Sequence, residues 1–210
     1  MIKRLIFDLD NTIILWQDNY VDALKKTMNE FNINIDYKII DNIIEEQEKI
    51  RNKLTKKILL EDINKKANLN LNIDFINRLL ENQTVLSPKN DQKMIDLFDY
   101  LSKKYDIVLL TNYFKEAQTG RLKTLGIYKY FKEIYGCEEI LLKPNKDAFI
   151  KAMKDNKPSE CIMIGDNYEI DIKEAINLKM NVIRVDLKNK IKEKTNYKVI
   201  NNLYSLKEEL

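Results

Sequence analysis

The sequence contains no histidine. That absence excludes Ser-His-Asp and Cys-His nucleophiles, imidazole general bases and His-ligated zinc. Any chemistry must therefore run on carboxylates, lysine, tyrosine, hydroxyls or an oxygen-ligated metal. Cysteine is scarce: Cys137 and Cys161, in apolar stretches without CxxC spacing, read as buried thiols of a reducing compartment rather than as a disulfide framework. Four glycines and three prolines among 210 residues leave few loops of special geometry. No apolar run approaches membrane-spanning length, and the stretch Met1-Ile-Lys-Arg-Leu-Ile-Phe is too short for a signal peptide. Neither sign of charge dominates: 36 basic against 33 acidic side chains give +3, too little to imply a nucleic-acid or membrane partner. The expectation is a cytoplasmic chain, monomer or homodimer, with no nucleic acid and no membrane among its partners.

What is present is an alternation. Short, continuously apolar runs (Leu5–Phe7, Ile107–Leu110, Ile162–Ile164 and Val182–Val185) suit strands covered on both faces. Glu133–Cys137 and Lys198–Ile200 are weaker candidates. Helical patterns lie between them, as in Met94, Ile95, Leu97, Phe98 and Leu101, or Ala148, Phe149, Ala152 and Met153. The pattern predicts an α/β fold with a parallel sheet and crossover helices. Residues 16–88 break it: Val21, Leu24, Met28 and Phe31, then Ile40, Ile43, Ile44 and Ile50, continue at helical spacing with no strand-like run. This segment is almost neutral, whereas residues 89–210 carry the basic excess.

The strong strands end in polar residues able to do chemistry. The first gives Asp8-Leu9-Asp10-Asn11-Thr12 and the second Thr111-Asn112. The strand at Ile162–Ile164 gives Gly165-Asp166-Asn167, with Asp171 beyond, and Lys143-Pro144-Asn145 stands before it. In open parallel sheets ligands bind beyond the carboxyl ends of the strands, at the point where strand order reverses, so these segments are expected to converge. Carboxylates crowded at ~4 Å repel by roughly 4 kcal/mol at an effective dielectric of 20. A hard divalent cation relieves that repulsion, and all-oxygen ligation suits Mg²⁺. Metal and lysine together suit an anionic substrate, phosphate above all.

These four ordered motifs, spread over almost the whole chain, resemble those of the haloacid dehalogenase superfamily. The resemblance implies a Rossmann-like core (1–15 plus 89–210) with a small all-helical cap of the C1 type (16–88) inserted after the first strand. It implies a Mg²⁺-dependent phosphatase with a small phosphorylated metabolite as partner. Asp8 would be the nucleophile and a metal ligand, and Asp10 the acid and base, its backbone carbonyl on the metal. Thr111 and the Asn112 backbone would hold phosphate oxygens, and Lys143 would neutralise the phosphoryl group. Asp166 would complete the metal shell, and Asp171 would support it from the edge. A carboxylate at Asp10 separates phosphatases and mutases from the superfamily's dehalogenases. Asn11 stands where many relatives have glycine. A finer likeness, through Asn112-Tyr113-Phe114, Gln118, Arg121-Leu122, Gly126 and Tyr130-Phe131, is to the branch of pyrimidine 5′-nucleotidases and N-acylneuraminate-9-phosphatases. It ranks nucleoside monophosphates first and sugar phosphates second.

Other readings stand beside these. Asp8 and Asp10 alone would suit a turn, and Asp171 a helix cap before Ile172. Trp16, Tyr20, Tyr113 and Phe114 would contact substrate or simply pack, and Arg121 reads as structural. The run Lys188–Lys194 reads as a solvated loop. A phosphomutase on the same scaffold, and a phosphate-binding protein without turnover, are the alternatives to a phosphatase.

Overall fold

The computed structural model describes residues 1–192 and 194–210, and only the backbone of Trp16, Gln17, Asp18 and Glu48. Among the described residues six strands form one parallel sheet: β1 (Arg4–Phe7), β2 (Asp106–Leu110), β3 (Phe131–Tyr135), β4 (Cys161–Gly165), β5 (Asn181–Val185) and β6 (Lys198–Ile200). Their order is β3-β2-β1-β4-β5-β6. The chain therefore runs outward from β1 to β3, then returns to β1's other side with β4. The reversal lies between β1 and β4, and both weaker strand candidates are strands.

Apolar runs form strands here because both faces are covered. Leu5, Phe7, Leu109 and Ile164 face one way, onto α5 (Gln92–Ser102) through Leu97 and Phe98. Ile6, Val108, Leu110 and Met163 face the other, onto Ala148, Phe149 and Ala152 of α7 (Lys146–Met153). This is the two-residue period of a strand with apolar partners on each side.

Between β1 and α5 the chain forms α1 (Trp16–Glu30), α2 (Tyr37–Ile50), α3 (Lys56–Ala67) and α4 (Ile73–Val85). Polar side chains start three of them. Asp36 accepts from the Lys38 N–H, Thr55 from the Ile58 N–H and Asn72 from the Asp74 N–H, each satisfying an amide that the first turn leaves open. The apolar core of this helical segment is completed by Tyr113, Phe114, Ala117, Cys137 and Leu142 from the α/β part. A backbone bond from Leu142 N–H to Asn52 C=O (2.8 Å) ties the segment to the loop before α7. Helix α6 (Lys115–Thr124) packs against α4 where Gly120 meets Thr84; a Cβ on Gly120 would lie 2.3 Å from the Thr84 hydroxyl oxygen. No helix among the described residues is long and apolar enough to cross a membrane. Cys137 and Cys161 are both buried free thiols.

Candidate active site

Asp8 follows β1, Thr111 follows β2 and Asp166 follows β4, three adjacent strands of the sheet. Adjacency and parallel direction bring their side chains to one end of the sheet, although more than fifty residues separate each segment in sequence. After Asp8 the chain turns tightly: the amides of Thr12, Ile13 and Ile14 all donate to the Leu9 carbonyl. Asn11 takes φ of 59°, a left-handed conformation open to glycine and tolerated by asparagine, so its exchange for glycine preserves the turn. The turn brings the Thr12 hydroxyl back to Asp8 Oδ2 at 3.3 Å. Thr12 is fully buried, and this contact is not evident from its residue type; the signal is its i+4 spacing from Asp8.

Lys143 lies between two carboxylates. Its Nζ donates to Asp8 Oδ1 at 2.8 Å and to Asp171 Oδ1 at 2.6 Å, with 1 % of the residue exposed. Burial alone would pull the ammonium's pKa down; the charges and hydrogen bonds of Asp171 and Asp8 outweigh it and hold the pKa above its ordinary value. The lysine is positioned by Asn112. That side chain donates from Nδ2 to the Lys143 carbonyl (2.9 Å) and accepts the Lys143 N–H at Oδ1 (2.7 Å). The Lys143-Pro144 bond is cis.

Asp171 is buried and is not the N-cap of its helical turn. Asn167 is the capping side chain of its helical turn, accepting from the Glu169 and Ile170 amides. Asp171 instead receives Lys143 at one oxygen and the Asn167 N–H at the other (3.1 Å). Gly165 makes this approach feasible, since a Cβ there would lie 2.5 Å from the Asp171 carboxyl carbon.

Asp8, Asp166 and Asp171 each offer an oxygen, and these atoms lie within 4.8 Å of one another. Burial, then Asp171, lifts the Asp166 carboxyl to about 7. Burial and the neighbouring carboxylates likewise hold Asp8 well above the usual range, against the pull of Lys143. Three hard oxygen donors with more negative charge than one lysine offsets fit a divalent cation of the Mg²⁺ type. The Asp10 side chain is not in that cluster.

The raised Asp166 value sets a pH dependence. A carboxyl that binds its proton more tightly folded than unfolded stabilises the fold below its unfolded value, 3.8, and that stability is lost as pH rises through about 7. In EDTA the unfolding free energy is expected to fall between pH 4 and 7, by at most about 1.4 kcal/mol per pH unit from this group, and the melting temperature with it. Millimolar Mg²⁺ should flatten the slope. Equal slopes with and without Mg²⁺ would contradict a cation site at this cluster.

Asp10 faces α6 instead. Its Oδ1 accepts from Arg121 Nη1 at 2.5 Å and its Oδ2 from Gln118 Nε2 at 2.7 Å. Gln118 Nε2 also donates to Thr111 Oγ1 (2.9 Å), and Gln118 Oε1 accepts from Arg121 Nη1 (2.8 Å). Arg121 therefore contacts a candidate catalytic side chain, which the structural reading of it missed. The available signal was the i, i+3 spacing that puts two polar side chains on the inward face of α6 beside Ala117 and Leu122. Phe114 is fully buried in the helical core and Tyr20 nearly so, and both pack. Tyr113 lines the cavity, held edge-on against Phe114 (centroids 5.1 Å apart) and accepting at its hydroxyl from Gln83 Nε2 at 3.0 Å. The Trp16 side chain lies outside the described residues.

Above these groups is a cavity of about 260 Å³, closed on the far side by Ile44, Glu45, Gln47 and Lys49 of α2 and by Leu54. The α/β part thus supplies the charged floor and the helical segment the opposite wall.

A family model described as haloacid dehalogenase-like hydrolase matches residues 5–185. The chain is 27% identical over 203 residues to a glyceraldehyde 3-phosphate phosphatase of Methanothermobacter thermautotrophicus, covering 89% of this chain and 86% of the relative. It is 26% identical over 188 residues to the putative HAD-hydrolase YfnB of Bacillus subtilis, covering 81% and 78%. The crystal structure of YfnB bound to magnesium superposes with a TM-score of 0.78 at 21% identity, over 99% of this chain and 98% of that one. An L-2-haloacid dehalogenase from Xanthobacter autotrophicus superposes at 0.71 with 15% identity, over 98% and 97%. Shared fold alone therefore does not distinguish the reaction.

Proposed function

The chain belongs to the haloacid dehalogenase-like hydrolase family, as a phosphatase, and from that premise we propose that it is a Mg²⁺-dependent cytoplasmic enzyme hydrolysing a small phosphomonoester through an aspartyl-phosphate. One observation carries the reading. Two carboxylates two residues apart have opposite surroundings, Asp8 against Lys143 and the acidic cluster, Asp10 against the donors of α6. Paired groups with divergent environments take divergent roles.

Asp8 attacks phosphorus in line, and Asp10 protonates the departing oxygen. Asp10 then takes a proton from the water that hydrolyses the aspartyl-phosphate. Lys143 neutralises charge on the phosphoryl group and keeps Asp8 oriented. Thr111 supplies a hydrogen bond to a phosphate oxygen. Its Oγ1 already accepts from the Gln118 amide and the Tyr113 N–H (3.2 Å), so both lone pairs are taken and the hydroxyl proton points elsewhere. Asp8, Asp166 and Asp171, with the Asp10 carbonyl, would hold Mg²⁺, which when bound offsets the repulsion between nucleophile and phosphate. The helical segment 16–88 acts as the cap, of the C1 type, placing α2 over the leaving group.

Sugar phosphates now rank ahead of nucleotides. Tyr113, the aromatic that lines the cavity among the described residues, is already packed and hydrogen-bonded, and the α2 wall offers Glu45 and Lys49 to a hydroxylated leaving group. The named relative supports the same order. The test is release of inorganic phosphate from sugar phosphates and nucleoside monophosphates, with Mg²⁺ and with EDTA. Release only with Mg²⁺, greatest for a sugar phosphate, is expected. A nucleotide ranking first would restore the nucleotidase branch, and a requirement for a sugar bisphosphate would point to a mutase. Mg²⁺-dependent phosphate binding with no release would mark a binding protein.

A further inference from the structure

Helix α6 carries two side chains whose chemistry is fully determined by their partners. Asp10 accepts at both carboxyl oxygens, from the Gln118 NH₂ at one and the Arg121 guanidinium at the other. Arg121 only donates, so it must face Gln118 Oε1. Chemistry rather than convention therefore assigns the amide orientation. Both Gln118 N–H groups are then used, one on Asp10 and one on Thr111. Gln118 is fully buried and Arg121 is 2 % exposed, so the network does not exchange partners freely with water.

We infer that Arg121 and Gln118 are positioning residues that hold the Asp10 carboxylate at both oxygens and, through Gln118, lock it to the Thr111 hydroxyl. This rests on the phosphatase reading. The group that handles the leaving-oxygen proton and the hydroxyl that holds the phosphoryl group then move as one unit. A carboxylate fixed at one oxygen rotates about its bond to the chain; fixed at both it does not. The two donors sit three residues apart on one helix, so α6 sets the spacing rather than a loop. The cap meets this same helix where Gly120 packs on Thr84, one residue from Arg121 and two from Gln118.

The test compares two substrates whose leaving groups differ in their need for a proton, ribose 5-phosphate and p-nitrophenyl phosphate. The kcat/KM value covers steps through phosphorylation of Asp8, where an alkoxide needs the acid and p-nitrophenolate does not. Gln118→Met and Arg121→Met should lower the ratio of kcat/KM for ribose 5-phosphate over p-nitrophenyl phosphate at least about tenfold, within the range of general acid catalysis. Arg121→Lys, which keeps the charge and N–H donors but not the planar fork, should recover part of it. Parallel losses on both substrates would mean a merely structural role and overturn the inference, as would an unchanged ratio. A second readout needs no turnover: the Arg121 guanidinium NMR signals of the full chain should show restricted rotation that Asp10→Ala releases. Signals indifferent to Asp10→Ala would overturn the clamp even in an active enzyme. Failure of the phosphatase reading is seen separately, as wild-type phosphate release no greater than that of Asp8→Asn.

Discussion

Replacing Asp8 with asparagine is expected to reduce Mg²⁺-dependent phosphate release by at least about a thousandfold, as removal of a covalent nucleophile does elsewhere. The fold should tolerate the change. Asp8 shares its pocket with Asp166 and Asp171, and burial and their charges already disfavour its ionised form. A neutral amide of the same shape keeps its carbonyl oxygen as the acceptor for Lys143, the Thr12 hydroxyl turns to accept from the amide nitrogen, and Lys143 retains Asp171 at 2.6 Å. Lost attraction to lysine and relieved repulsion between carboxylates oppose each other. The melting temperature in EDTA should therefore stay within about 3 °C of wild type, about 1 kcal/mol at this chain length. Phosphate release within tenfold of wild type would remove Asp8 from the nucleophile's role.

Lys143→Ala should damage both rate and stability. Removing one partner of a buried ion group leaves the others uncompensated, at a cost of about 3–5 kcal/mol. For a chain of this size that corresponds to a fall of roughly 10 °C in melting temperature. The sign of its pH dependence is set by the carboxylates left behind. Without the ammonium, which pulls the Asp8 pKa down, Asp8 holds its proton more tightly, so the deficit should shrink at low pH and grow as pH rises. Mg²⁺ should return part of the stability but not the rate, because a cation at the carboxylates does not replace the donor beside the phosphoryl group. Lys143→Met, which keeps the stem volume, separates lost charge from an empty cavity. A normal rate in either variant would show that the third motif is wrongly aligned, and an unchanged melting temperature would contradict the buried triad.

Much of this was legible without coordinates. Short runs such as Ile107–Leu110 are apolar throughout because strands covered on both faces have no solvent side, and that property is local to the residues. The ordered motifs around Asp8, Thr111, Lys143 and Asp166 follow from the same logic, since parallel strands release their ends on one side of the sheet. Helix α6 was harder. Lys115–Thr124 has almost no apolar face, so periodicity says little, and Gln118 and Arg121 are buried for the sake of partners more than a hundred residues away in sequence.

Phe114 shows the complementary difficulty. Beside Tyr113 in sequence it had the same claim to a substrate, yet both pack into the helical core, and of the two Tyr113 alone also lines the cavity. Asp171 was ambiguous between a cap and a site residue until Gly165 let it approach β4 and meet Lys143. By itself, then, the sequence determined the parallel sheet, the helical interruption and the set of charged residues at the strand ends, because hydrophobic period and residue type are properties of neighbouring positions. Only the tertiary structure decided which carboxylate faces the lysine and which faces the arginine. Those choices depend on what distant segments bring within about 3 Å, the reach of a hydrogen bond.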